Sequence, residues 1–130
     1  MLKNFLTGLA LAAFTTLALA AGTDYPPQSV EGNGVKVTVA PRGIGPQTWD
    51  FEVVVETHAR SLDEDIAGVS LLVADGERYR PVTWVGAPPG GHHRKGLLRF
   101  NAVAPRPPML ELQIRLEGDA SPRSFSWILE

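Results

Sequence analysis

The stretch MLELQIRLEG, residues 109–118, sets Leu110, Leu112, Ile114 and Leu116 against Glu111, Gln113, Arg115 and Glu117 without a break. Successive side chains of a strand point to opposite faces, so this period of two makes one apolar face and one polar face. A helix would scatter the same four apolar residues around its circumference. The stretch therefore reads as a strand with one face in a core and the other toward water.

The same period recurs on both sides of it. After it, RSFSWILE (123–130) puts Phe125, Trp127 and Leu129 on one face. Before it, LLRFNAV (97–103) sends Leu98, Phe100 and Ala102 one way and Arg99 and Asn101 the other. TWDFEVVVETH (48–58) aligns Trp49, Phe51, Val53 and Val55 against Asp50, Glu52 and Glu56, and VKVTVA (35–40) aligns Val35, Val37 and Val39. VSLLVA (69–74) is followed by Asp75-Gly76, a hairpin signal because glycine accepts the positive φ of the turn. ERYRPVTWV (77–85) reads as the returning strand, and Pro81, which lacks a donor, favours an edge or a bulge there. ARSLDEDIAG (59–68) reads as irregular and polar.

About seven strands separated by turn signals, in roughly 100 residues and with no amphipathic helix, predict an all-β fold. The expected form is a single β-sandwich of immunoglobulin or fibronectin type III kind spanning residues 35–130; a small barrel is the rival. Trp49, Trp84 and Trp127 are the expected large core fillers.

The N-terminus carries one cation, Lys3, then an uncharged apolar run over residues 5–20 that closes with Ala18-Leu19-Ala20. That is the pattern of a secretory signal peptide over residues 1–20. A retained membrane anchor is the rival reading, weakened by Thr7, Gly8, Thr15 and Thr16 within the run. Residues 21–34, AGTDYPPQSVEGNG, read as an extended leader. The expected location is periplasmic or secreted, with no membrane span after cleavage.

Removing residues 1–20 leaves 11 cations against 14 acids. Nucleic-acid binding calls for a strongly basic face, which this balance does not predict. The chain has no cysteine, so thiol nucleophiles, Cys-ligated zinc and blue copper are excluded and burial must replace disulfides.

One loop stands out: PPGGHHRKGLLRF, residues 88–100. Pro88-Pro89 is stiff, and Gly90-Gly91 permits a sharp reversal. His92 and His93 follow, and His58 ends an earlier strand. Three imidazoles suffice for a copper or zinc site if the fold brings them together, with Met109 as a candidate soft ligand. A turn histidine can equally fix its loop by donating a ring N–H to a backbone carbonyl. Asp63 and Asp65 offer hard oxygens for calcium, though fewer than the 6–8 that calcium takes; the alternative is a solvated turn. Arg94, Lys95 and Arg99, with Arg78 and Arg80 if their strands adjoin, form a candidate patch for an anionic partner; the alternative is a solvated face balanced by neighbouring acids. No G-x-S-x-G and no phosphate-cradling glycine loop occurs, so an enzyme is not expected.

Taken together, W-x-F-x-V in TWDFEVVVETH, the later PVTW and GAPPGGHHRKGLLRF (86–100) resemble a small uncharacterised family of exported bacterial and archaeal β-sandwich domains. The similarity runs from about Val35 to the final FSWIL. It implies export and a sandwich, and carries over no catalytic residue. The reading of the sequence is a non-catalytic interaction or accessory module of the cell envelope with a protein partner. The alternative is a periplasmic copper- or zinc-binding protein using the His92-His93 loop.

Overall fold

The computed structural model describes residues 25–129. The signal peptide expected over residues 1–20 and the first residues of the leader lie outside the described residues. Among the described residues nine strands form: β1 (Gln28–Gly32), β2 (Val35–Ile44), β3 (Thr48–Thr57), β4 (Ser70–Ala74), β5 (Glu77–Tyr79), β6 (Thr83–Gly86), β7 (His93–Asn101), β8 (Met109–Ile114) and β9 (Arg123–Ile128). They build two antiparallel sheets in a sandwich-like arrangement. One has the order β1-β2-β3-β7-β6 and the other β5-β4-β8-β9. The chain changes sheet at β3–β4, β5–β6 and β7–β8.

The alternating residues meet between the sheets. Trp49, Phe51, Val53, Leu98 and Phe100 from the first sheet and Leu72, Leu110, Leu112, Ile114 and Phe125 from the second are almost wholly buried. Phe51 sits at the centre, edge-on to Phe100 at 5.7 Å and tilted against Trp127 at 5.9 Å. Each such side chain contributes roughly 1.5–3 kcal/mol by leaving water. All three indoles also find a carbonyl: Trp49 donates to Gly45, Trp84 to Ala87 and Trp127 to Pro26.

Four expectations are corrected. The leader does not run to residue 34, because β1 pairs with β2 from Gln28↔Val39 to Gly32↔Val35. Asn33 and Gly34 make its turn with φ of 53° and 73°, the same chemistry as Asp75-Gly76. ERYRPVTWV is not one strand: it breaks around Pro81, leaving β5 at the edge of one sheet and β6 at the edge of the other. β7 begins at His93, four residues before Leu97. Trp84 is half-buried at an edge rather than central, its ring lying over Gly86 and Gly96. A Cβ on Gly96 would meet that ring at 2.7 Å and the Gly86 Cα at 2.6 Å, so glycine is required for the ring to lie there.

Candidate functional site

Four connections meet at one end of the sandwich: the β1–β2 turn, the irregular segment 58–69, the β6–β7 loop 87–92, and the β8–β9 turn 115–122. Two buried arginines tie them. On β7, inward parity belongs to Leu98 and Phe100, and Gly96 and Arg94 share it. Arg94 is accordingly 2% exposed. Its Nη1 donates to the carbonyls of Leu62 (3.2 Å) and Glu64 (2.6 Å), and its Nη2 to that of Ala87 (3.1 Å). Its Nε is buried without a partner among the described residues. Burial pulls this guanidinium below its ordinary pKa, and Glu64, Asp63 and Asp65 offset part of that. Beside it, Leu62 pairs with the glycine reversal: Leu62 N–H donates to Gly91 O at 2.9 Å and Gly90 N–H to Leu62 O at 2.7 Å.

Arg123 does the same on β9. Its guanidinium bonds Asp119 through Nε (2.9 Å) and Nη2 (3.0 Å) and reaches the carbonyls of Val30, Gly32 and Val35 at the β1–β2 hairpin. Asp119 also accepts from Asn33 Nδ2 and the Leu116 N–H. The Arg123 bonds chiefly, against the opposing effect of burial, hold the Asp119 carboxyl below its ordinary pKa. Glu64 bridges the network: it accepts from Arg60 Nη1 and Nη2 and from the Glu117 N–H at 3.0 Å. Burial pushes Glu64 up, but these bonds outweigh it and the carboxyl lies below its ordinary value.

On this frame sits an open depression of about 650 Å³ lined by Glu31, Lys36, Glu56, His58, His92 and His93, with Gly34, Thr57 and Ala59. The three histidines of the chain therefore share one site. The register explains why: Glu31↔Lys36, Lys36↔Glu56 and Glu56↔His93 set one residue of four adjacent strands in a row. His58 leaves β3 just after Thr57, whose N–H donates to His92 O at 3.0 Å and whose hydroxyl donates to Gly34 O at 2.8 Å. All three imidazoles are exposed. His93 Nε2 lies 3.8 Å from Glu56 Oε1. Among the described residues no imidazole hydrogen bond holds the turn; Leu62, the glycines and Arg94 do. Among the described residues no group of three or more His, Asp or Glu side chains is placed to hold a metal ion. Met109 does not join them. It lies on the other sheet, opposite Ile128, about 17 Å of strand from the Arg123 end.

The remaining candidates disperse. Asp63 and Asp65 are exposed, and Asp63 accepts from the Ser61 hydroxyl. The carbonyls of Leu62 and Glu64, which a calcium cage would need, are taken by the Arg94 cation. The anion patch loses Arg94 to the core. Lys95 lies 3.9 Å from Glu52, and Arg99 makes a two-pronged bond to Asp50 at 2.8 and 3.0 Å. Arg78 belongs to β5 in the opposite sheet. Arg123 and Asp119 were not singled out by the sequence reading, although Arg123 shares the parity of Phe125 and Trp127. Comparison with protein-family models, with curated proteins and with solved structures gives no match for this chain.

Proposed function

We propose that this is an exported, non-catalytic module of immunoglobulin or fibronectin type III kind, periplasmic or released, that binds an envelope protein partner through its histidine-lined end. The strand order supports the fold assignment. β2-β3-β7-β6 facing β5-β4-β8-β9 corresponds to the A-B-E-D and C-F-G sheets of such domains, with a C′ strand and an extra β1. The resemblance of GAPPGGHHRKGLLRF to exported domains supports the location. One observation carries the function: exposed histidines and opposed charges line a depression whose four supporting connections are locked by buried arginines. Such a surface is organised before its partner arrives, which reduces the ordering cost of binding. The rings are open to water, which suits surface recognition better than chemistry in a water-excluded site.

The test is retention of envelope proteins on the immobilised chain against a His58→Ala/His92→Ala/His93→Ala variant. A partner held by the first and lost from the second is the expected result. Equal retention by both removes this end from the binding surface.

The second reading, copper or zinc, rests on the three imidazoles sharing one depression. It requires the rings to turn toward one point. Competition calorimetry with Cu²⁺ and Zn²⁺ decides it: stoichiometric binding lost in His92→Ala/His93→Ala establishes a metal site, and weak binding equal in both dismisses it.

A further inference from the structure

We propose that β6 is a self-pairing edge, and that two copies of this chain join through it in an antiparallel two-fold arrangement centred on Val85. The other edges are covered or blunted. The Gln28 side-chain amide pairs with both Ser126 N–H and Ser126 O, covering the β9 edge with β1. β1 itself carries the exposed Glu31, and β5 is only three residues long and carries Glu77 and Arg78. Charges and short length are how natural edges avoid pairing. β6, Thr-Trp-Val-Gly, carries no charge of its own and so lacks that guard.

The backbone fits the same arrangement. Ala87 N–H donates to Lys95 O at 3.1 Å, and the register runs Val85↔Leu97 and Thr83↔Arg99. Hydrogen bonding alternates along an antiparallel pair, so the N–H and C=O of Trp84 and Gly86 point away from β7, to the side where no strand of the described residues pairs. They flank Val85 equally. A two-fold axis at Val85 pairs Trp84 with Gly86 of the other copy, and the reverse, making about four hydrogen bonds. Val85, 61% exposed, then faces its own copy, while each indole stays folded over Gly86 and Gly96 of its own copy, clear of the axis. Pro81 and Pro88 bound the open stretch, so the contact is small and the dimer weak, below the size of a standard interface.

Two measurements test it. Sedimentation equilibrium of the purified chain, taken to about 200 µM, should show a mass rising toward twice the monomer, as a small interface demands. The chain has no cysteine, so Val85→Cys and Val82→Cys each supply a single thiol at a comparably exposed site. Across the axis two copies of residue 85 lie within disulfide reach, at about 4.5 Å between Cα atoms. Two copies of residue 82 lie about 20 Å apart. Under mild oxidation Val85→Cys should form covalent dimers and Val82→Cys should not. A monomer at every concentration, no cross-link at residue 85, or equal cross-linking at both positions overturns the proposal.

Discussion

Replacing Arg94 by Met should destabilise the fold by about 2–4 kcal/mol, and the figure follows from what each carbonyl keeps. Methionine fills the volume of the aliphatic stem, so little cavity opens. Three carbonyls lose a donor. Leu62 O retains the Gly90 N–H and Ala87 O retains the Trp84 indole, so each forfeits one bond of two, about 1 kcal/mol apiece. Glu64 O has no other donor among the described residues and becomes a part-buried orphan, at about 1–3 kcal/mol. Against this, the variant no longer buries a cation that lacks a carboxylate contact and leaves Nε unbonded, which returns about 1 kcal/mol. Urea unfolding is the assay, with the loss read from the midpoint at unchanged m-value. A loss below about 0.5 kcal/mol, or a gain, would refute the reasoning: the carbonyls would then be satisfied without the guanidinium, and the loops would not depend on it.

Acid should unfold the protein through Glu64 and Asp119. Both carboxyls titrate lower folded than unfolded, so their stabilisation is present above about pH 4 and is lost as pH falls through the folded values. Asp119→Asn should flatten the fall in unfolding free energy between pH 5 and pH 2 as measured by urea titration; an unchanged slope contradicts the assignment. Gly96→Ala should lose about 2 kcal/mol or more because the new Cβ meets backbone and indole. Gly91→Ala, with φ of 73° but open space, should lose only about 1 kcal/mol. A reversed order in thermal unfolding refutes the close-packing account. Gln28→Ala should leave Ser126 N–H without its acceptor and speed its hydrogen exchange selectively, with protection of the Leu112 amide unchanged; uniform acceleration would mean that Gln28 stabilises the whole fold instead.

Parity was the legible part of this sequence. Wherever apolar residues alternated, as in 48–55, 97–102 and 109–116, the inward set is the core. Parity also pointed at Arg94 and Arg123, which fall in step with Leu98 and Phe125, but a charge at a core position reads as the end of a strand rather than as a buried tie. What rescues each arginine is a set of carbonyls from distant loops, and no local pattern announces those. β1 was hidden for another reason. Asn33-Gly34 has the same turn chemistry as Asp75-Gly76, yet the strand that leads into it, Gln28–Gly32, has Val30 as its one apolar side chain and so shows no alternation. The shared depression of His58, His92 and His93 depends on the pairing Glu56↔His93 between strands far apart in the chain. Nothing short-range encodes that register; it follows only once both inward faces are fixed.

The two arginines also bear on how a cysteine-free sandwich holds one end rigid. A disulfide there would join two positions and typically contribute about 2–4 kcal/mol. A guanidinium has five donors in a planar fork, so Arg123 alone joins β9, Asp119 and three carbonyls of the β1–β2 hairpin. Arg94 joins segment 58–69 to the β6–β7 loop, and Glu64 connects that segment to the β8–β9 turn. Each tie needs its partners in place, because a buried charge without them is costly. The ties are therefore conditional on one another, which makes the end form together rather than loop by loop. The depression stands on the strand ends and turns that this assembly fixes, so its histidines are held at a set spacing with their rings exposed. Under the binding role proposed for this end, Arg94→Met and Asp119→Asn should lower retention of an envelope protein on the immobilised chain although His58, His92 and His93 are intact, and unchanged retention would refute the link between the ties and the surface.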